Sequence, residues 1–358
     1  MNQDKPSTEN KTGENPEVNS AATPAAASST ATPSSADNAT ATEPKDGAAA
    51  RKAEAATESK GAQKQEPVKR TVLDFEDVAK MSPFLGRHPK FTNWLFRFLA
   101  FDKVNALHEH NIDNPGGGPG FVRGMLKELD IKLKIDNEQV LDNLPQGAFI
   151  TVSNHHFGAL DGIILIDLVA SRRPEYKVMV NMILNHISGM RPNFIAVDPM
   201  ASDDPAKKAV SMKGIKEAIM QVRRGKPIGF FPAGAVAKIN WRGRLKDREW
   251  QPSIIRLIEQ LNVPVIPIFF HGSQSWFFNL LGITCWQLRQ IRHPLEVFRK
   301  KHKTFHVTIG NPTSVEEQKA HQGSLEEFTK FLRDATYDLR DNPPAPVAEN
   351  QPKHNNDK

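Results

Sequence analysis

Between residues 148 and 309 six short apolar runs alternate with helix-compatible stretches, and this alternation restricts the chain to a layered α/β fold. The strand-like runs are 148–153 (AFITVS), 177–181 (KVMVN), 193–197 (NFIAV), 227–231 (PIGFF), 263–270 (VPVIPIFF) and 305–309 (FHVTI). The clearest helix starts with Asp204 as N-cap and Pro205 at the first helical position. It places Met212, Ile215, Ile219 and Val222 on one face and ends at Gly225. No repeat of fixed period is present. The fold class expected is a mixed sheet flanked by helices.

The first run leads into Asn154-His155-His156-Phe157-Gly158-Ala159-Leu160-Asp161-Gly162. These residues occupy the turn leaving a strand, where open α/β sheets present their chemistry. Histidine titrates near working pH and suits a general base, and a nearby aspartate fixes its tautomer. The same residues also fit a histidine packed under a loop and an aspartate capping the next helix.

Not all of the 358 residues read as globular. From Met1 to about Pro67 there is no Leu, Ile, Phe, Tyr or Trp, so little apolar area is available to offset chain entropy. The division expected is a disordered tail over 1–70, a helical extension over 71–120, a main domain over 121–341 and a second disordered tail over 342–358. The N-terminus has no apolar core of a signal peptide, and the single cysteine, Cys285, fits a reducing compartment as a small buried hydrophobe. No apolar stretch is long enough to span a bilayer.

The net charge of +6 is unevenly placed. Arg242, Arg244, Lys246 and Arg248 form one cluster. Arg289, Arg292, Arg299, Lys300, Lys301 and Lys303 form another, beside Trp286, Leu295 and Phe298. Residues 89–110 are rich in aromatics, with Trp94, Leu95, Phe98, Leu99 and Phe101 on one broad helical side. Aromatics beside cations suit the surface of an anionic membrane, and no nucleic-acid motif is present. The expectation is a cytoplasmic protein held peripherally on the inner membrane, in contact with its lipids and without nucleic-acid partners.

Four blocks occur in order: Asn154-His155-His156 to Asp161-Gly162, Phe194-Ile195-Ala196-Val197-Asp198-Pro199, Phe230-Phe231-Pro232-Ala233-Gly234, and Val263-Pro264-Val265-Ile266-Pro267-Ile268. Over roughly 120–315 this order resembles the glycerolipid acyltransferase family, typified by 1-acylglycerol-3-phosphate acyltransferases. The strongest likeness within it is to the bacterial haemolysin-like and ornithine- or glycine-lipid branch. The resemblance implies transfer of a fatty acyl group from a thioester, carried by acyl carrier protein or coenzyme A, to the hydroxyl of a lyso-lipid or N-acyl amino acid. No resident cofactor or metal is implied. His155, His156 and Asp161 are the catalytic candidates. Asn154, Gly158, Gly162, Asp198, Phe231, Pro232 and Gly234 are the substrate-binding candidates, with Gly158, Gly162 and Gly234 expected to bring backbone N–H groups near a developing oxyanion.

Three departures from the family pattern stand out. The doubled histidine allows two registers: His156 has the general family's spacing to Asp161, and His155 has that of the haemolysin-like branch and is preferred. Ala233 and Ala235 stand where relatives carry glutamate, which opens the alternative of a catalytically degenerate lipid- or carrier-binding protein. Asp198-Pro199 stands where phosphate-binding members have arginine, which favours an acceptor without a phosphomonoester, although Lys207 and Lys208 offer substitute charges. A further alternative is a metal-dependent hydrolase, built if His271 joined His155, His156 and Asp161.

Overall fold

The computed structural model describes residues 69–198, 204–239, 245–284 and 292–344. Expectations placed on the N-terminal tail, on 345–358, and on Pro199, Arg242, Arg244, Cys285, Trp286 and Arg289 lie outside the described residues, as does the side chain of Lys246.

The apolar runs supply the middle of one seven-stranded sheet. Its strands are β1 (Lys132–Asp136), β2 (Ile150–Ser153), β3 (Lys177–Asn181), β4 (Phe194–Val197), β5 (Ile228–Phe230), β8 (Val265–Phe270) and β9 (Thr304–Ile309), in the order β1-β9-β8-β2-β5-β3-β4. Neighbouring strands run parallel except β8 and β9, which are antiparallel. Two short strands, β6 (Lys238–Ile239) and β7 (Leu245–Lys246), pair separately. Every residue of β2 and β8 is buried, as expected of central strands covered on both faces.

Helices lie on both faces, over two apolar clusters. One cluster joins Val122 and Leu126 of helix Gly117–Glu128 and Ile163 of helix Ala159–Leu165 to Val178 and Val180 of β3. The other joins Met179 to Val222 of helix Pro205–Arg223, Ile255 of helix Pro252–Leu261 and Phe328 of helix Leu325–Tyr337. All six strand-like runs contain strands. β1 escaped the sequence reading because Lys-Leu-Lys-Ile-Asp at a sheet edge alternates and is never fully buried.

Two helical expectations are corrected. Helix Pro205–Arg223 has its expected cap, Asp204 accepting from Ala206 N–H. Of the expected face, Val222 is buried and Ile215 and Ile219 pack partly buried on the same cluster, while Met212 departs at 68% exposed; Gly214, Ala218 and Gln221 are buried beside them. The helix approaches β4 too closely for larger side chains, since a Cβ on Gly214 would lie 2.6 Å from the Ala196 carbonyl oxygen. The aromatic run is two helices, Pro89–Phe98 and Phe101–Asn111, broken where Ala100 adopts a φ of 60°. They follow two shorter ones, Phe75–Met81 and Pro83–Arg87.

Candidate active site

β2 ends at Ser153, and the turn to helix Ala159–Leu165 carries the doubled histidine. Asn154 is fully buried and clamps β8: its Oδ1 accepts the Phe270 N–H at 2.7 Å and its Nδ2 donates to the Phe270 carbonyl at 2.9 Å. The two histidines then diverge. His155 Nδ1 lies 2.9 Å from Asp161 Oδ2. His156 is buried, donates from Nδ1 to the Gly272 carbonyl at 2.8 Å, and sets its ring edge-on to Phe269. The register preferred from sequence is therefore the one that forms a His–Asp pair.

Asp161 is fully buried, and the same Oδ2 also accepts the N–H groups of Phe157 at 2.9 Å and Gly158 at 3.1 Å. The aspartate thus caps its helix and orients the histidine with one oxygen. With Nδ1–H directed at Asp161, the acceptor nitrogen of His155 is Nε2, which has no hydrogen-bond partner among the described residues. The imidazole packs 4.4 Å from the Phe231 ring, centroid to centroid, and its side chain retains 18% exposure.

The backbone of His155 is held from two sides. Its carbonyl accepts the Ala237 N–H at 2.9 Å, and its N–H lies 3.4 Å from Asp247 Oδ2. That oxygen also accepts the Tyr337 hydroxyl. Burial pushes the Tyr337 pKa up, reinforced by the Asp247 charge, so the phenol stays protonated and donates. Sequence reasoning missed both residues. The available signals were a single acid inside a cationic run and one of only two tyrosines in the chain.

The glycines have other duties than those expected. Gly158 N–H is taken by Asp161, and Gly234 N–H by the Phe231 carbonyl at 2.9 Å. Both N–H groups are therefore already engaged, and neither glycine's own N–H is free for an oxyanion in this arrangement. Gly158 has a φ of 68°, and a Cβ there would lie 3.0 Å from the His293 ring. Gly234 has a φ of 65°, and a Cβ would lie 1.8 Å from Gln251 Nε2. Gly162 is buried in its helix, with nothing within 4 Å of the position a Cβ would take. Pro232 is buried, and its carbonyl accepts the Gln251 N–H.

Two expected members are not brought to the His155–Asp161 pair. Asp198 follows β4 directly, and there its backbone N–H and carbonyl both engage Ser211 Oγ at 3.1 Å. β4 is three strands from β2, or about 14 Å at ordinary strand spacing. His271 belongs to a different cluster. Its Nε2 donates to Thr308 Oγ1 at 2.8 Å and its ring stacks on His306, whose Nε2 lies 2.5 Å from Asp136 Oδ2. Among the described residues, Asp136, His271 and His306 are the one set placed to hold a metal ion. A cluster of His155, His156, Asp161 and His271 is not formed.

An α/β sheet with a buried aspartate orienting a part-exposed histidine at a strand's carboxyl end has the parts that a base-catalysed group transfer needs. The acyltransferase family model matches residues 77–345, and the chain belongs to that family. A lyso-glycine lipid O-acyltransferase of Bacteroides thetaiotaomicron is 26% identical over 264 residues, covering 70% of this chain and 90% of the relative. One of the same name from Phocaeicola vulgatus is 26% identical over 284 residues, covering 75% and 95%. Among solved structures, the 1-acyl-sn-glycerophosphate acyltransferase PlsC of Thermotoga maritima aligns over 69% of this chain and 85% of its own. Its sequence identity is 13% and the TM-score 0.41.

Proposed function

We propose that the protein transfers a fatty acyl group from an acyl carrier protein or coenzyme A thioester to the hydroxyl of a lyso-lipid, with an N-acyl glycine as the acceptor. The observation that carries this reading is the pairing of His155 Nδ1 with the buried Asp161 Oδ2, which leaves Nε2 open. His155 Nε2 takes the acceptor hydroxyl's proton as the oxygen attacks the thioester carbonyl, and returns a proton to the departing thiolate. Asp161 holds the tautomer and stabilises the imidazolium between these steps.

The acceptor choice draws on the names of the two relatives. Asp198 does not support it, because β5 and β3 separate its strand from β2. Incubating the purified full-length protein with a hydroxyacyl-glycine and each thioester tests the reading. The expected product is the O-acyl ester, absent with His155→Ala; wild-type rates from that variant overturn the mechanism.

Membrane binding is part of the proposal. Phe84, Phe91, Trp94 and Phe98 are 61%, 45%, 55% and 57% exposed, and their rings touch in succession, edge-on from Phe84 to Phe91 and stacked from Phe91 through Trp94 to Phe98. Arg87, Lys90 and Arg97 flank them, so apolar and cationic groups share one surface of the kind that lies in a bilayer interface. Trp276 and Phe277 expose 71% and 43%. No described helix is long and apolar enough to cross a membrane.

A further inference from the structure

A cavity of about 260 Å³ opens at the rim of the sheet that also carries His155. Its lining includes Phe157, Ser273, Glu296, Arg299, Lys300 and Lys303. Phe157 ties it to the reactive turn: this residue's N–H binds Asp161, and its ring lies 5.0 Å from Lys300 Nζ. Helix His293–Arg299 begins against Gly158 and ends on the cavity wall with Arg299. Because β8 runs antiparallel to β9, the start of β9 (Thr304, Phe305) and the segment after β8 meet at this rim. β8 neighbours β2, so the cavity stands one to two strand spacings from the His155–Asp161 pair, roughly 5–10 Å.

The lining combines three cations with one carboxylate. Lys300 Nζ donates to the Ser273 carbonyl at 2.8 Å, and burial lowers its pKa. Glu296 is 1% exposed, and neither of its oxygens has a hydrogen-bond donor among the described residues. Its nearest cationic atoms, Arg299 Nη1 and Arg292 Nε, are 3.6 and 3.7 Å away. The site therefore offers positive charge in excess together with an unfilled buried acceptor, and buried acceptors call for a donor.

A ligand that complements this set has an anion and an N–H in close succession. In an N-acyl glycine the amide N–H and the carboxylate are separated by a single methylene. A phosphate lacks the N–H and would set a second negative charge against Glu296. An O-acyltransferase acting on an N-acyl glycine must also use a hydroxyl on the acyl chain, because the nitrogen is already acylated. The head group then has to be held at a short remove from the base.

We propose that this cavity holds the acceptor's glycyl head group, with Arg299 and Lys303 taking the carboxylate and Glu296 the amide N–H. This rests on the O-acyltransferase reading above. Kinetics of the full-length protein with a hydroxyacyl-glycine, its neutral glycinamide and its N-methyl analogue test it. The expected wild-type result is a preference for the acid of about tenfold or more over each analogue in kcat/KM, the size expected for one charge-assisted hydrogen bond. In Arg299→Gln/Lys303→Gln, both sites on the cavity's exposed side, the acid-to-glycinamide ratio falls toward one. Absence of turnover on any acceptor overturns the acyltransferase reading itself. Turnover with equal use of acid and glycinamide, or an undiminished ratio in the variant, overturns the head-group assignment alone. A rise in donor KM with an unchanged acceptor ratio overturns it too, giving the cavity to the thioester carrier's phosphates.

Discussion

Asp161 Oδ2 stands 2.9 Å from His155 Nδ1 and accepts two backbone N–H groups from the turn between them. One oxygen thus fixes both the base and the loop that bears it. The two readings of the sequence, a capping aspartate and an orienting aspartate, describe the same atom.

That sharing separates two substitutions. Asp161→Asn keeps an oxygen for the backbone N–H groups but removes the charge that stabilises an imidazolium. We expect kcat to fall on the order of 10³–10⁴-fold, as for orienting aspartates in other His–Asp systems, with a small change in melting temperature. Asp161→Ala also leaves buried donors unpaired and should lower stability by about 1–3 kcal/mol per orphaned group. Turnover and denaturant melts of both variants check this.

The histidines should part in the same way. His155→Ala removes the base and is expected to abolish measurable transfer; it also takes one donor from the buried Asp161 oxygen, which keeps two backbone N–H groups, so the chain should still fold with a loss of about 1–3 kcal/mol. His156→Ala orphans the Gly272 carbonyl and should cost about 1–3 kcal/mol of stability. Its turnover below the melting transition should stay within about tenfold of wild type, since no step of acid–base catalysis passes through it. Activity lost equally in both variants at matched folded fraction contradicts the assignment.

Stability should fall on mild acidification because of His108. It is buried, its Nδ1–H donates to the Arg70 carbonyl at 2.7 Å, and its Nε2 faces the Gly189 N–H at 3.4 Å. Burial lowers its pKa below 6.5, with the Arg191 charge acting the same way. Between the unfolded and the lower folded value the unfolded chain binds more protons, so stability drops as pH falls through that window and levels off below it. Burial also lowers His271, which adds with the same sign. Melting temperatures from pH 7.5 to 5 should decline, and His108→Gln should flatten the slope; an unchanged slope sinks this.

Trp94→Ser/Phe98→Ser should weaken sedimentation with anionic vesicles at least tenfold, because each ring buries enough apolar area to contribute about 1.5–3 kcal/mol. Neither side chain is buried in the fold, so the melting temperature should stay within about 2 °C of wild type. Raised salt should weaken wild-type binding through the flanking cations.

The legible parts of the fold were those with a strong apolar pattern. Central strands such as β8 cannot be written any other way, and the Asp204-Pro205 start of its helix is a local signal. What stayed hidden depends on partners far along the chain. Spacing allows both registers and only favours His155 through the branch it resembles; what separates the two in the fold is the Gly272 carbonyl, 116 residues away, which takes His156. β9 turning against β8 moved His271 to His306 and Asp136, which no local pattern announces. Asp198 looked suggestive beside Pro199, and its distance from the base follows from strand order, which periodicity does not encode.

Asp247 lies 92 residues after His155, and Tyr337, which grips the same oxygen, lies 90 further on. During synthesis the reactive turn is made early, yet the clasp behind it is completed only as helix Leu325–Tyr337 leaves the ribosome and folds. A nascent chain therefore carries the reactive turn, already held by Asp161, without its Asp247–Tyr337 support until Tyr337 has been added.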